Sequence, residues 1–173
     1  MQLQMKWIVL AGWMLLMGLQ TNAQQLSGVY LTENGKASYQ ITVERLLVVL
    51  TDSGKLSEIR TTASGTLVYN VSRQIEQIGD VKIGLNYQGK VNRIGNTAIL
   101  YDFNGRVDRI GELNFRYNYN NMLASVGNQA IRYNPDQTID QFDRYRIIYN
   151  YNKQVQKIDD SGGLIILQYI YNK

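Results

Sequence analysis

Chemistry in this chain would have to be done by carboxylates. There is no His and no Cys, which removes the commonest general base, the soft metal ligands and the usual nucleophile pairs. Asp102, Asp108, Asp136, Asp140, Asp143, Asp159 and Asp160 are the residues from which a two-carboxylate glycosidase site would be drawn. Most of them occupy positions where Asn or Gln stands in neighbouring copies of a repeat, whereas a catalytic pair should break the pattern. The expectation is a non-enzyme without a cofactor. Calcium needs six to eight oxygens converging on one point. Turn Asp and Asn, and Asp159-Asp160, are better explained by bonds to local backbone, so no metal site is expected.

Binding is the alternative to catalysis, and tyrosine is the residue to follow. Of the thirteen, Tyr87, Tyr119 and Tyr151 fall with Phe103 in one turn column, near an edge of the sheet argued below. Rings two strands apart, about 9.6 Å, can stack on sugar rings or hold a peptide. The competing expectation, and the favoured one, is that each ring folds back over its adjacent strand, since aromatics suit strands. Lys90, Arg93, Arg106 and Arg109 cluster in two successive units and could contact an anionic glycan or lipopolysaccharide. Asp108 and Glu112 lie close by, so a solvated ion-pair surface is expected instead.

These residues are positioned by a repeat. Cut at sixteen residues, the chain from Gly65 reads GTLVYNVSRQIEQIGD, VKIGLNYQGKVNRIGN, TAILYDFNGRVDRIGE, LNFRYNYNNMLASVGN, QAIRYNPDQTIDQFDR and YRIIYNYNKQVQKIDD. A worn unit, LLVVLTDSGKLSEIRT, precedes them from Leu46 to Thr61, separated by Thr62-Ala63-Ser64. Asn134-Pro135-Asp136-Gln137 sets the turn: Asn suits the first position of a type I turn and Pro the second. Asp102-Phe103-Asn104-Gly105 and Asn86-Tyr87-Gln88-Gly89 align with it, with Gly fourth, which predicts a three-residue hairpin loop with a bulge.

That loop places Tyr101 opposite Val107, with Ile99 on the same face. A second loop, Gly111-Glu112 plus the next residue, carries the seam on to Tyr117. The predicted apolar face holds Tyr69, Ile75, Leu85, Val91, Tyr101, Val107 and their successors, with Leu67, Ile83, Ile99, Phe115, Ile131 and Ile147 in a second row. Ile78, Ile94, Ile110, Val126, Phe142 and Ile158 are expected on the opposite, wetter face. Each hairpin alone is marginal, and stacked copies build a core.

The unit YDFNGRVDRIG resembles the tyrosine-aspartate repeats of the Rhs and YD-repeat proteins, through Tyr101-Asp102, Gly105-Arg106-Val107 and Ile110. Other units match in part, as at Asn86, Gly89-Lys90-Val91 and Ile94. The resemblance implies β-hairpin architecture and a scaffold or adhesive role. In that family long β-sheet spirals enclose toxins, but some seven units of period sixteen are too little chain for a shell.

Ahead of the repeats, Met1 to Lys6, the apolar run Trp7 to Leu19 and the small residues up to Ala23 have the layout of a secretory signal peptide. The run is short of the roughly 20 residues a spanning helix needs. The expected organisation is a signal peptide over 1–23 and one domain over 24–173, comprising an N-terminal cap (24–45), seven repeats (46–160) and a C-terminal half-repeat (161–173). The whole-chain charge of +4 is mild and interleaved with carboxylates, which argues against nucleic acid. The expected fold is all-β, an antiparallel meander of about fourteen short strands, curved or rolled into a barrel-like sheet. Strands this short fall below the 9 to 11 residues of a membrane barrel. The expected role is that of a secreted, periplasmic or surface protein, a non-catalytic scaffold binding a protein or glycan, or else a carbohydrate-binding module using the turn-edge rings.

Overall fold

A computed structural model describes residues 24–61, 65–160 and 162–168. The expected signal peptide lies outside these residues, as do 161 and 169–173 of the C-terminal half-repeat. The described chain is all-β, with seventeen strands in two sheets. The six units from Gly65 form a twelve-stranded antiparallel meander, from β5 (Leu67–Tyr69) and β6 (Ile75–Ile78) to β15 (Tyr145–Tyr149) and β16 (Val155–Ile158). The other sheet has five strands: β1 (Gln25–Thr32), β2 (Ala37–Val43), β3 (Leu46–Thr51), β4 (Leu56–Thr61) and β17 (Ile165–Gln168). The first four run as a meander, and β17 pairs parallel with β1.

The three-residue turn falls where the sequence puts it. In the hairpin of β9 (Thr97–Tyr101) and β10 (Val107–Ile110), Tyr101 pairs with Val107. The amide of Asp102 donates to the Arg106 carbonyl, and Gly105 to that of Asp102, both at 2.9 Å. The same turn recurs in every unit and also joins β1 to β2 and β3 to β4, at Thr32–Gly35 and Thr51–Gly54. The worn unit is thus a hairpin of the same kind built into the smaller sheet.

Two expectations are corrected here. The second connection is a two-residue loop, since Ile110 pairs with Leu113 across Gly111-Glu112. Gly111 has φ +54° at the first central position, as a type II′ turn requires. Second, Ile94, Ile110, Val126 and Phe142 are buried on the apolar face, not set on the wet one. Each short strand carries a bulge: Val107 pairs with Tyr101 but Arg109 with Leu100, so Asp108 is an extra residue. A bulge of one residue shifts the alternation of faces, so Val107 and Ile110, three apart, both point inward. Ile110 then sits opposite Ile99, and Phe142 opposite Ile131. Burying an Ile or Phe in this way contributes about 1.5–3 kcal/mol, so the bulge doubles the apolar return of each four-residue strand.

Among the described residues the twelve-stranded sheet stays open, with β5 and β16 as its edges. Closure into a barrel is unnecessary because the chain's own smaller sheet covers the apolar face. Leu31, Tyr39, Ile41 and Leu50 of that sheet share one core with Ile99, Val107, Leu123 and Ile139. The Tyr39 and Phe142 rings lie 6.2 Å apart. At one rim, carbonyls of the smaller sheet's turns accept amides at the bulges: Gly54 from Val107, Asp52 from Leu123 and Glu33 from Val155, each at 2.9 Å. At the other rim, the Glu44 carboxylate accepts the Asn96 amide at 2.7 Å, and Gln24 Oε1 that of Glu112 at 3.2 Å. The smaller sheet is therefore held at both ends. Its cover stops short of the first unit, where Leu67 and Tyr69 are exposed, and Ile59, Ile75, Ile83 and Leu85 line a groove of about 280 Å³.

Candidate functional site

The turns at one rim are specified almost completely by their first and fourth residues. Asn86 Oδ1 accepts the amides of Gln88 and Lys90 at 2.9 and 3.0 Å. Asn70, Asp102, Asn118 and Asn150 each accept the corresponding pair. The fourth position is left-handed, with φ of 75° at Gly89 and 74° at Gly105. In the fifth unit Pro135 presets the turn, and Thr138 Oγ1 accepts from the Asn134 amide group at 3.0 Å. None of these bonds uses the side chain at the second position. That position holds Val71, Tyr87, Phe103, Tyr119, Pro135 and Tyr151.

The rings do not fold back. Tyr87, Phe103, Tyr119 and Tyr151 are 95%, 96%, 93% and 94% exposed, which corrects the expectation that they lie over the adjacent strand. The turn is closed by its own Asx cap and the core lies on the inner face, so nothing in the hairpin draws the ring inward. Turns two strands apart are spaced about 9.6 Å, so the four rings form a broken row, with Pro135 between Tyr119 and Tyr151. Each ring is followed by an exposed amide or carboxylate side chain: Gln88, Asn104, Asn120 or Asn152, with Asp136 after Pro135.

The basic cluster is split by the fold. Arg106 turns inward, pairing with Asp102 at 2.6 Å and stacking 3.9 Å above the Tyr117 ring. Its third contact is Asn121 Oδ1 at 3.0 Å. Lys90 sits 5.4 Å over the Tyr101 ring. Arg93 and Arg109 are exposed, and among the described residues neither forms an ion pair with Asp108 or Glu112. Desolvation opposes the Asp102 carboxylate, but the amide and guanidinium of Arg106 and the amide of Asn104 outweigh it and hold its pKa below the ordinary value.

Other carboxylates weighed for catalysis do structural work. Asp136 accepts from the Thr138 hydroxyl at 2.7 Å and pairs with Lys153 at 3.2 Å, contacts that lower its pKa, the hydroxyl first. Asp143 opens a two-residue loop with φ of 52°. Asp160 accepts the amides of Gly162 and Ile165 at 2.8 and 2.7 Å, which brings β17 to the smaller sheet.

A row of hydroxyls escaped the reading of the sequence. Tyr101, Tyr117, Tyr133 and Tyr149 donate to the carbonyls of Val91, Val107, Leu123 and Ile139, at 2.6, 2.5, 2.7 and 2.7 Å. The recurrence of Tyr every sixteen residues from Tyr101 to Tyr149, where Phe would fill the same space, was the available signal. Burial pushes the phenols of Tyr133 and Tyr149 up to about 12 and raises those of Tyr101 and Tyr117. These tyrosines are structural, and they leave the turn column as the surface on which rings are presented. No family model, curated protein or solved structure matches the chain.

Proposed function

We propose that the protein is an exported, non-catalytic repeat scaffold that holds an extended carbohydrate chain along its aromatic rim. The observation that carries this reading is the near-complete exposure of Tyr87, Phe103, Tyr119 and Tyr151 in one turn column. An exposed ring contributes little to folding, and Val71 or Pro135 closes the same turn without one. Isolated apolar side chains on a surface need no explanation, but four in one turn column, interrupted only by Pro135, form an apolar stripe of the sort that marks an interaction site.

The chemistry of the row favours sugar. A pyranose presents an apolar face to a ring and hydroxyls at its edges, and each ring here is followed by an exposed amide that can donate and accept. Spacing of two strands suits a linear polymer contacted once per disaccharide. Single-stranded nucleic acid also stacks on rings, but along a positively charged groove. Lys90 and Arg106 are turned onto Tyr101 and Tyr117 instead. The likeness to YD repeats supports a scaffold role in the same direction, and the signal-like leader supports export.

The test is binding to a panel of soluble and insoluble polysaccharides, comparing the wild type with Tyr87→Ala/Tyr119→Ala/Tyr151→Ala. Retention of the wild type on at least one linear glycan, lost in the variant at unchanged thermal stability, is the expected result. Binding that survives in the variant, or a blank panel, rejects the rim as a glycan site.

A further inference from the structure

The row of tyrosine hydroxyls is incomplete at both ends, and the two ends complement each other. Tyr69 occupies the same column as Tyr101 and Tyr117, but no bulge precedes it in the large sheet. Its ring is 54% exposed, and among the described residues its hydroxyl makes no hydrogen bond. At the far end, the Val155 carbonyl holds the position at which Val91, Val107, Leu123 and Ile139 each accept a hydroxyl. Among the described residues, no tyrosine hydroxyl donates to it.

We propose that the twelve-stranded sheet continues from one molecule into the next. In this assembly β5 of a second copy adds antiparallel to β16 of the first, and its Tyr69 hydroxyl donates to the first copy's Val155 carbonyl. Both strands are edges among the described residues, and an unpaired edge is a template for another chain. The edge strand β5 is exposed along its whole length and carries Leu67, Val68 and Tyr69, an apolar composition unlike the charged or proline-bearing edges that block pairing.

The repeat fixes the register. Where one unit meets the next, Gln77 pairs with Lys82, Arg93 with Ala98, Arg109 with Asn114, Ser125 with Ala130 and Gln141 with Arg146. One period further, Lys157 faces Thr66 of the second copy and Ile158 faces its Gly65. Leu67 of that copy then joins the inner row of Ile131 and Ile147. The contact is heterologous, so it propagates into a ring or a filament.

Because the chain has no Cys, the register can be trapped. The full chain carrying Thr66→Cys/Lys157→Cys, mildly oxidised over a range of concentrations, should give a ladder of disulfide-linked oligomers on denaturing gels. Thr66→Cys/Lys153→Cys, displaced by four residues, should remain monomeric. Adding Tyr69→Phe to the first pair should lower the oligomer yield roughly fivefold, in line with loss of one hydrogen bond, and leave the monomer's melting temperature unchanged. A first pair that stays monomeric at every concentration, or crosslinks no better than the displaced pair, overturns the proposal, as does a yield insensitive to Tyr69→Phe. Glycan retention by the rim is read separately and decides neither outcome here.

Discussion

The hydroxyl of Tyr117 donates to the carbonyl of Val107, ten residues back, at 2.5 Å. The bond ties the long strand of one hairpin to the bulge of the hairpin before it. The bulge exists because both Val107 and Ile110 face the core, and it takes the Val107 carbonyl out of simple strand pairing. A tyrosine in the next unit repairs that loss and fills the seam with its ring. Leu85 keeps the apolar part of the arrangement and drops the bond, so among the described residues the carbonyl of Ile75 receives no hydroxyl.

Tyr117→Phe should therefore destabilise the protein by about 1–3 kcal/mol, since a half-buried acceptor loses its donor. Tyr69→Phe should change monomer stability by less than about 0.5 kcal/mol, as expected away from such features. Equilibrium urea denaturation of both variants below the concentration of any self-association distinguishes the two sites. Equal effects would mean that the hydroxyl contributes nothing at the bulge.

Arg106 satisfies three neighbours at once: the Asp102 carboxylate, the Tyr117 ring and Asn121. The pair is largely buried, unlike Arg45–Asp80, whose side chains are 75% and 67% exposed. Arg106→Lys keeps the charge but loses the planar fork and the stacking, and should cost about 1–2 kcal/mol. Arg45→Lys should be nearly silent, as surface ion pairs are. Thermal melts in low and high salt check this: the Arg106 effect should persist in high salt, where exposed pairs are screened.

The repeat length, the turn and the Tyr101–Val107 pairing were legible because Asn or Asp in first place, Gly in fourth and a single Pro135 leave few other turn types. The bulge was not legible. Its extra residue is Glu76, Asn92, Asp108, Ala124, Asp140 or Gln156, and none of these types carries a backbone signal as Gly or Pro does. Strict alternation then assigned Ile110 and Phe142 to the wrong face. The division into two sheets was hidden for a related reason. The hairpin of Leu46 to Thr61 uses the same turn and the same bulge as the repeats, so only its tertiary partners set it apart. For the rim, the column of Tyr87 and Phe103 could be read, but not the direction of its rings, because the turn is closed without them.

The left-handed turn position offers a gain in stability. Gly89 and Gly105 suit it, but Arg73, Asn121, Gln137 and Lys153 occupy it elsewhere with φ of 60–69°. A side chain there costs about 1–2 kcal/mol, partly offset by the entropy that Gly loses on folding, about 0.5–1 kcal/mol. Gln137→Gly should stabilise the protein by roughly 0.5 kcal/mol, and Gly105→Ala should destabilise it by about 1 kcal/mol or more. Opposite shifts in the denaturation midpoint, with unchanged slope, are the expected pattern. A loss of stability in Gln137→Gly would show that the side chain contributes more than its backbone costs.

The tyrosine row also sets the response to alkali. In the unfolded chain these phenols ionise near their ordinary value of 10.0, whereas in the fold Tyr133 and Tyr149 hold their protons to about 12. The native state therefore binds more protons than the unfolded state between those values, and stability must fall as pH rises through that window. Below pH 10 the contribution of these groups is fully present. Stability measured by urea unfolding should accordingly drop steeply between about pH 10 and pH 12, and phenolate absorbance should rise together with loss of β-sheet circular dichroism. Tyr133→Phe removes one of the linked protons, so its stability should fall less steeply with pH even though it starts lower. A slope equal to that of the wild type would show that Tyr133 ionises freely in the native protein, and that its hydroxyl is not held by Leu123.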